Sequence, residues 1–445
     1  MDTERAVAPA VRDALAAACP ALREADPVSD AVAEVGPAFA ASPASTEEAS
    51  ALLRVAAAHG LTVVPRGAGT GLGWGQPPAS CDLVVDMRLM DQVIEHAAGD
   101  LVARVQAGAT MGHLASVLAS AGQELVLDAP AGATVGGVIA TGTAGPRRFR
   151  YGAPRDLLIG ITVVRADGVV AHSGGKVVKN VAGYDLGKLF AGSQGTLGLI
   201  TEATFRLHPR PAAVAWVTGD FGPSGVAGAA SAVAAAAGSA LVPSAVELDW
   251  SGGEPRGRPV LRVGVLLEGT ASGVAERAGQ MSELLGSAGG TPVVALSEET
   301  FRWRDELPES GMPGTVVRIS FWVRQLGKVL NALALACVEI QPSVSGPAGA
   351  GLLYARLDEG AEPRTAERFV RGLRERLDSV LDGGSAGPRG SMTVLAAPPP
   401  VMADVGAHGV YGTVPGAALM QAVKDQFDPG HRMFPGRLAG LTGGS

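Results

Sequence analysis

Five glycines occupy every second position of residues 67–75, directly after a short apolar run. Residues 62–75 read TVVPRGAGTGLGWG. Glycine inside regular structure costs roughly 0.5–1 kcal/mol relative to alanine, so this repetition predicts a backbone that wraps closely around a ligand. Successive N–H groups that point inward can form a nest for a diphosphate, and Arg66 adds a cation just before them. The pattern predicts a phosphate-binding loop.

Two common phosphate motifs do not fit this loop. A P-loop ends in Gly-Lys-Ser or Gly-Lys-Thr, whereas this loop ends in Gly-Trp-Gly-Gln at residues 73–76. The dinucleotide fingerprint needs glycine at relative positions 1, 3 and 6. Counted from Gly67, Gly69 or Gly71, the sixth residue is leucine, tryptophan or glutamine. A nicotinamide-type Rossmann loop therefore loses its main support, and a surface loop without a ligand remains the alternative.

The loop resembles the pyrophosphate loop of the vanillyl-alcohol-oxidase (PCMH)-type FAD-binding superfamily. Two more segments resemble this superfamily in its own order: residues 128–160, with the core Thr134-x-Gly136-Gly137, and residues 178–209. The resemblance implies an α+β fold with a PCMH-type FAD-binding domain of two α/β subdomains. It also implies a cap domain whose antiparallel sheet is flanked by helices.

The resemblance implies FAD as the cofactor and a set of backbone and side-chain contacts to it. Relatives with covalently bound flavin have a histidine in the glycine loop, whereas this chain has Gly69 and Thr70, so non-covalent FAD is expected. The backbone near Ile200 is expected beside the adenine. The FAD-binding residues so implied are Pro65, Arg66, Gly67, Ala68, Gly69, Thr70, Gly71, Leu72, Pro130, Gly132, Ala133, Thr134, Gly136, Gly137, Thr141, Gly142, Gly195 and Ile200.

Within the superfamily, residues 145–156 and 179–198 are most similar to the family of FAD-binding E subunits of glycolate oxidase. That resemblance implies a complex with a second flavoprotein subunit and an iron–sulfur subunit, acting on a small hydroxyacid. The tail QFDPGHRMFPGRLAG, residues 426–440, is similar to the family's last segment. Phe434 departs from it, because the family commonly has asparagine before that Pro-Gly pair.

Helix and strand signals position these motifs in three segments. Ser45 and Glu48 predict a capping box at the start of a helix over residues 44–60. Short apolar runs predict strands before and after the glycine loop, and Asp167-Gly168 predicts a hairpin within residues 157–173. Proline-rich and glycine-rich stretches at 208–211 and 382–391 predict boundaries. We expect an FAD-binding domain over 1–210, a cap or substrate domain over 211–390, and a segment over 391–445 that returns to the FAD domain.

Catalytic residues are not evident from the sequence. The seven histidines form no H-x-H or H-x-x-x-H pair, so a metal site is not expected. Arg318 is a candidate for a substrate contact, since a carboxylate substrate favours a guanidinium group. His408 is a second candidate, because its expected loop next to Gly409 could face a pocket. Three functions stay open: a subunit of a 2-hydroxyacid oxidase complex, a stand-alone hydroxyacid or polyol dehydrogenase or oxidase, and a degenerate, non-catalytic scaffold.

Composition and charge limit the expected partners and the expected location of the protein. The net charge is −7 and no basic stripe is visible, so nucleic acid is not an expected partner. The three cysteines are far apart, so an iron–sulfur cluster held by this chain alone is not expected. No membrane span is expected, and the N-terminus is acidic where a secretory signal would be basic. We expect a cytoplasmic protein, with peripheral membrane association through a complex left open.

Overall fold

The computed structural model describes residues 9–175, 185–222, 225–251, 260–295, 314–336, 340–381 and 390–438, without the side chains of Ser251, Ala407 and His408. The chain divides into two compact units. The first comprises residues 1–143, 153–209 and 416–442, and the second comprises residues 144–152, 210–415 and 443–445. Residues 178–184 of the third FAD-type motif lie outside the described residues.

The described helices and strands alternate along the first half of the chain. They are α1 (Pro9–Ala18), β1 (Leu22–Glu24), β2 (Phe39–Ala41), α2 (Thr46–Ala58), β3 (Val63–Arg66), β4 (Leu83–Asp86), β5 (Val93–Ala97), β6 (Val102–Gln106), α3 (Met111–Ala119), β7 (Gln123–Glu124), α4 (Val135–Thr141), α5 (Arg148–Tyr151), α6 (Pro154–Leu157), β8 (Leu158–Val164), β9 (Val170–Gly174), β10 (Leu199–Arg206) and β11 (His208–Pro209).

Longer strands follow in the second half. The elements are β12 (Ala213–Phe221), α7 (Val226–Ala237), β13 (Ala245–Ser251), β14 (Val260–Gly269), α8 (Ala271–Ser287), β15 (Thr291–Ala295), β16 (Thr315–Ser320), α9 (Leu326–Ala336), β17 (Ser343–Gly346), β18 (Leu352–Leu357), α10 (Pro363–Leu381), β19 (Ser391–Ala396), α11 (Pro399–Tyr411) and α12 (Ala417–Phe427). Gly406 interrupts α11 with a positive φ of 66°.

A four-stranded sheet with the order β1-β2-β4-β3 carries the glycine loop of the first unit. The strands β2, β4 and β3 are parallel, and β1 is antiparallel to β2. Helix α2 starts where the capping signal predicts, because the Ser45 hydroxyl accepts a hydrogen bond from the Glu48 amide at 3.1 Å. Leu52 and Leu53 of α2 pack against the sheet in one core. Strand β3 ends at Arg66, so the loop begins at the sheet's edge strand.

A second, antiparallel sheet of the first unit has the order β5-β6-β10-β8-β9. The predicted hairpin joins β8 and β9, and Gly168 has a φ of +80° in its turn. Helices α3 and α4 pack against this sheet through Leu114, Leu118 and Ile139. Thr134 is the N-cap of helix α4, and its hydroxyl accepts a hydrogen bond from the Gly137 amide at 3.4 Å. Two sheets, each with its own core, thus position the loop and α4.

The second unit contains an eight-stranded sheet with the order β15-β12-β14-β13-β17-β18-β16-β19. One face is apolar, and Val246, Val263, Val317 and Leu353 share a core there with residues of α7, α8, α9 and α10. Residues 261–269, 316–320 and 352–357 lie in the strands β14, β16 and β18, and residues 364–381 lie in the helix α10. Because every strand pair here is antiparallel, the predicted antiparallel sheet flanked by helices is also confirmed.

The opposite face of this sheet carries a polar row. Residues directly opposite each other in antiparallel strands share a face, so the strand register defines the row from one edge to the other. Arg262 donates to both carboxylate oxygens of Asp220, at 2.6 and 2.9 Å. The members of the row are Thr291, Asp220, Arg262, Asp249, Ser345, Tyr354, Arg318 and Thr393.

Candidate functional site

A cleft in the first unit has an empty volume of about 730 Å³, including open solvent. Its lining comes from β3 and the glycine loop, α4, the start of β10 and the C-terminal segment. The lining residues are Pro65, Arg66, Gly67, Ala68, Gly69, Thr70, Gly71, Leu72, Met87, Ala107, Thr134, Gly136, Gly137, Ala140, Thr141, Gln194, Gly195, Gly198, Leu199, Ile200, Phe434 and Arg437.

Most of the sequence-predicted cofactor residues meet at this cleft. All eight from Pro65 to Leu72 line it, together with Thr134, Gly136, Gly137, Thr141, Gly195 and Ile200. Four predicted residues are not among the lining residues: Pro130, Gly132, Ala133 and Gly142. Gly132 is exposed, while Gly142 ends α4 in the left-handed conformation with φ +68°. Pro130, Gly132 and Ala133 belong to the turn before α4, in which the Ala133 amide donates to the Pro130 carbonyl oxygen at 3.0 Å.

Tight packing explains two of the loop glycines. A Cβ atom on Gly67 would lie 2.0 Å from the Thr134 hydroxyl oxygen, and one on Gly71 would lie 2.7 Å from a Thr141 methyl carbon. Such distances are far below ordinary contact, so neither position accepts a side chain without movement. Gly69 differs, because its surroundings are open and its φ is +84°. Gly67 and Gly71 therefore allow the loop to pack closely against α4 and its N-cap, and Gly69 allows a left-handed backbone conformation.

The loop has backbone donors to offer a ligand. Within the described part of the chain, the amides of residues 67–71 donate to no protein acceptor, whereas those of Leu72 and Trp74 bond the Gly69 and Gly71 carbonyl oxygens. These loop residues are half-buried, except for the exposed Ala68, so their amides are open to a ligand or to water. Five consecutive unpaired donors on a cleft wall therefore fit an acceptor-rich anion such as a diphosphate. The residues present fit the diphosphate of FAD.

Arg66 is held by carboxylates. Its Nη2 atom donates to Asp30 Oδ1 at 2.8 Å and to Asp86 Oδ2 at 3.0 Å, and its side chain is 9% exposed. Asp30 also accepts two hydrogen bonds from Arg23, at 2.5 and 2.9 Å. The Arg23 hydrogen bond, with that of Arg66, holds the pKa of Asp30 well below its usual range. The network fixes the residue at which the loop begins.

The substitution Asp30→Asn should lower the free energy of unfolding most at neutral pH. A carboxyl group with a lowered folded-state pKa stabilises the fold above its unfolded-state pKa near 3.8, and this contribution is lost as the pH falls through the folded-state value. We therefore expect Asp30→Asn to lower the urea midpoint at pH 7, and the gap from wild type to shrink below about pH 4. Urea titrations at pH 7, 5, 4 and 3 measure this.

Asp185→Asn is the control for the Asp30 variant, because Asp185 forms an exposed ion pair with Lys188. Exposed pairs contribute about 0–1 kcal/mol, so its urea midpoint should remain close to wild type at every pH. An Asp30→Asn gap that stays constant from pH 7 to pH 3 would contradict the assignment.

The C-terminal segment provides part of the cleft, and the sequence did not indicate the role of Arg437 in it. Arg437 is 2% exposed and donates to the carbonyl oxygens of Gly71, Leu72 and Gln76. Phe434 has φ +44°, and its ring centroid lies 4.4 Å from the Arg437 guanidinium carbon. The departure at Phe434 was visible in the sequence, but no local pattern distinguishes a buried arginine from an exposed one.

A buried ion pair fixes the same segment. Lys424 Nζ contacts Asp428 Oδ2 at 2.5 Å and also donates to the carbonyl oxygens of Thr196 and Met433. Asp428 is 0% exposed, and its Oδ2 also accepts from the Met433 amide at 2.7 Å. Burial lowers the pKa of Lys424, although Asp428 opposes this shift. The pair connects α12 to the chain just before β10.

The candidate substrate residues belong to the second unit. Arg318 is half-buried in the polar row, directly opposite Tyr354. Burial raises the pKa of the Tyr354 phenol, while the guanidinium groups of Arg318 and Arg148 oppose the rise. The side chain of His408 is outside the described part of the chain.

Metal and membrane features can be stated only for the described residues. In those ranges, no group of three or more His, Cys, Asp or Glu side chains could hold a metal ion. None of the described helices combines the length and apolar composition needed to cross a membrane.

Comparison with known proteins identifies the cofactor. Residues 37–174 match the family described as FAD binding domain. In solved structures, p-cresol methylhydroxylase with substrate bound matches 98% of each chain with a TM-score of 0.71 and 17% identity. Alkyldihydroxyacetonephosphate synthase matches 98% of this chain and 86% of its own with the same TM-score and identity. The chain therefore has the fold of the PCMH-type flavoproteins and binds FAD, so the predicted fold class and cofactor are both confirmed.

Curated relatives are similar to less than two fifths of the chain. Glycolate oxidase subunit GlcD of Bacillus subtilis (strain 168) is 38% identical over 172 residues, which are 38% of this chain and 37% of the relative. D-lactate dehydrogenase of Archaeoglobus fulgidus is 39% identical over 169 residues, 38% of each chain. D-2-hydroxyglutarate dehydrogenase of Xanthomonas citri pv. viticola is 36% identical over 177 residues, 39% of this chain and 38% of the relative. The chain thus spans less than two fifths of these relatives' length.

Proposed function

We propose that this chain is the FAD-binding subunit of a 2-hydroxyacid oxidase or dehydrogenase complex of the glycolate oxidase type. The observation that carries the proposal is the FAD-binding domain itself. Residues 37–174 match this domain, and part of the chain is similar to a glycolate oxidase subunit and to D-lactate and D-2-hydroxyglutarate dehydrogenases. When bound, FAD supplies a two-electron acceptor for such an oxidation.

The chain's own groups have two tasks in this proposal. The amides of residues 67–71 bind the diphosphate, and the residues around α4 shape the cleft. A substrate site is proposed in the segment 211–390. We propose non-covalent FAD, because Gly69 and Thr70 occupy the stretch in which covalent relatives have histidine. Acid precipitation should then leave the yellow flavin in the supernatant, whereas covalent flavin would pellet with the protein.

Arg318 is the proposed contact for a substrate carboxylate. Its guanidinium is half-buried, and in the described part of the chain it makes no hydrogen bond or ion pair. The Tyr354 hydroxyl lies in the same row, and arginine binds carboxylates well because its planar fork can donate two parallel hydrogen bonds. Arg262, another member of the row, already uses its fork on Asp220. Among the described residues, no acceptor occupies the fork of Arg318.

The proposed partners are a second flavoprotein subunit and an iron–sulfur subunit. Their support is the similarity of residues 145–156, 179–198 and 426–440 to the E subunits of glycolate oxidases, together with the GlcD relative. In this arrangement the electrons leave the chain through its partners.

Anaerobic reduction tests the proposed function. The purified chain is loaded with FAD, and its absorbance near 450 nm is followed after glycolate or D-lactate is added without oxygen, alone and with the partner subunits. Bleaching that requires the partners supports the complex. Bleaching of the chain alone indicates a stand-alone dehydrogenase, and no bleaching under either condition indicates a scaffold.

Arg318→Gln should impair substrate binding more than chemistry. In the condition that gives bleaching, we expect the KM for the hydroxyacid to rise about 10-fold or more, because a charged hydrogen bond is worth about 1.5–3 kcal/mol. Arg262→Gln, in the same polar row, is the control and should leave KM unchanged. Equal KM values for wild type and Arg318→Gln would exclude Arg318 as the carboxylate contact.

A further inference from the structure

The glycine loop is supported from the side of its carbonyl groups by Arg437. The guanidinium Nη1 atom donates to the Gln76 carbonyl oxygen at 2.9 Å. The Nη2 atom donates to the carbonyl oxygens of Leu72 at 2.9 Å and Gly71 at 3.2 Å. A single buried side chain thus spans the second half of the loop.

The carbonyl groups and the amide groups of the glycine loop have different partners. The carbonyl oxygens of Gly69 and Gly71 accept from the amides of Leu72 and Trp74, which closes two turns. Arg437 binds the same end of the loop, at the Gly71 carbonyl oxygen that also accepts from Trp74 and at the carbonyl oxygen of Leu72. The protein therefore uses the carbonyl groups of the loop for its own structure and leaves the amides of residues 67–71 for a ligand.

The backbone around Arg437 is itself fixed to the loop's sheet and to the chain after the loop. The Phe434 amide donates to the Val63 carbonyl oxygen, and the Val63 amide donates to the Arg432 carbonyl oxygen, each at 2.8 Å. The Ala79 amide donates to the Pro435 carbonyl oxygen at 2.8 Å. Gly436 has φ +82°, and a Cβ there would lie 2.9 Å from the Ala79 nitrogen. Arg437 therefore reaches the loop from an anchored backbone.

We propose that Arg437 is a positioning residue for FAD: it fixes the carbonyl groups of the glycine loop so that the free amides are arranged for the diphosphate before FAD arrives. A loop that is already ordered loses less entropy on binding, and affinity is gained in this way. The role is independent of which substrate the protein oxidises. It predicts a loss of FAD affinity that exceeds the loss of overall stability.

The test compares Arg437→Met with Arg432→Met. Arg432 lies in the same segment but donates to the Ala166 carbonyl oxygen, away from the loop. FAD affinity is measured by quenching of flavin fluorescence when the apoprotein is added, and stability is measured by urea unfolding of the apoprotein. We expect Arg437→Met to raise the Kd for FAD about 10-fold or more, and Arg432→Met to change the Kd by less than about 3-fold even if it lowers the urea midpoint.

Hydrogen exchange of the apoprotein provides the second readout. Arg437→Met should speed exchange at the amides of Leu72 and Trp74, which close the loop's turns, with little change in the strand β4. Arg437→Lys, which retains the charge but not the planar fork, should be intermediate in Kd and remains informative if the methionine variant fails to fold. A Kd that matches wild type in both Arg437 variants would overturn the proposal, as would a Kd that rises in both arginine variants in proportion to lost stability.

Discussion

Alanine at position 67 should weaken FAD binding by about 10- to 100-fold. The added Cβ would lie 2.0 Å from the Thr134 hydroxyl oxygen and 3.1 Å from its Cβ, and Thr134 is 2% exposed. Neither group can move freely, because Thr134 caps α4 and Gly67 continues directly from β3. Overpacking a tight contact costs about 1–3 kcal/mol. The loop and α4 must separate, and the cleft between them changes shape. Fluorescence titration of the apoprotein with FAD measures the effect.

A second substitution tests the cause of the Gly67→Ala defect. Removing the hydroxyl in Gly67→Ala/Thr134→Ala relieves the shortest contact, so FAD affinity should recover in part. Serine retains the hydroxyl, so Gly67→Ala/Thr134→Ser should remain as weak as Gly67→Ala alone. Equal affinities in these two double variants would show that the Thr134 contact is not the cause.

Gly132→Ala is the matched control. Gly132 was predicted from the sequence to approach the cofactor, but it is exposed, does not line the cleft, and a Cβ on it would meet nothing within 4 Å. Its FAD affinity should be that of wild type. A loss as large as that of Gly67→Ala would indicate that any added side chain in these glycine-rich segments impairs binding.

Removing the Lys424 ammonium should give the largest loss of stability, about 3–5 kcal/mol. Asp428 is fully buried, and Lys424→Met would remove its Nζ partner at 2.5 Å. Breaking a buried pair from one side leaves an uncompensated charge in a poorly hydrated interior. Urea unfolding followed by tryptophan fluorescence should show the shift in the transition that includes the first unit.

The double variant Lys424→Met/Asp428→Asn should be more stable than Lys424→Met, because it removes the stranded charge and retains an acceptor for the Met433 amide. Lys188→Met provides the comparison at an exposed pair, where the loss should be below about 1 kcal/mol. If Lys424→Met were no more destabilising than Lys188→Met, the buried pair would not be a stabilising element of this unit.

The sequence predicted those parts of the site whose signals are local. The glycine repeat, the cap at Ser45 and the hairpin at Asp167-Gly168 all follow from residues within a few positions of each other. Backbone conformation and helix capping depend on residues within this range, so they can be predicted from the sequence alone.

The remaining parts depend on contacts between distant residues. Arg437 contacts the glycine loop although the two are separated by roughly 360 residues in sequence. No sequence pattern at either position predicts this contact. The sequence also did not show every reason why glycine is required in the loop. A close approach of the cofactor was expected, whereas Gly67 and Gly71 are already required by contacts with Thr134 and Thr141.

The distance in sequence between the glycine loop and Arg437 has a consequence for synthesis. A ribosome adds about 5–20 residues per second, so the arginine emerges roughly 20 to 70 seconds after the loop that it supports. During that interval the nascent loop has its amides but not the side chain that orders its carbonyl groups. Stable loading of FAD is therefore expected only after translation has passed residue 437, and a ribosome stalled earlier should expose a chain that does not retain the flavin.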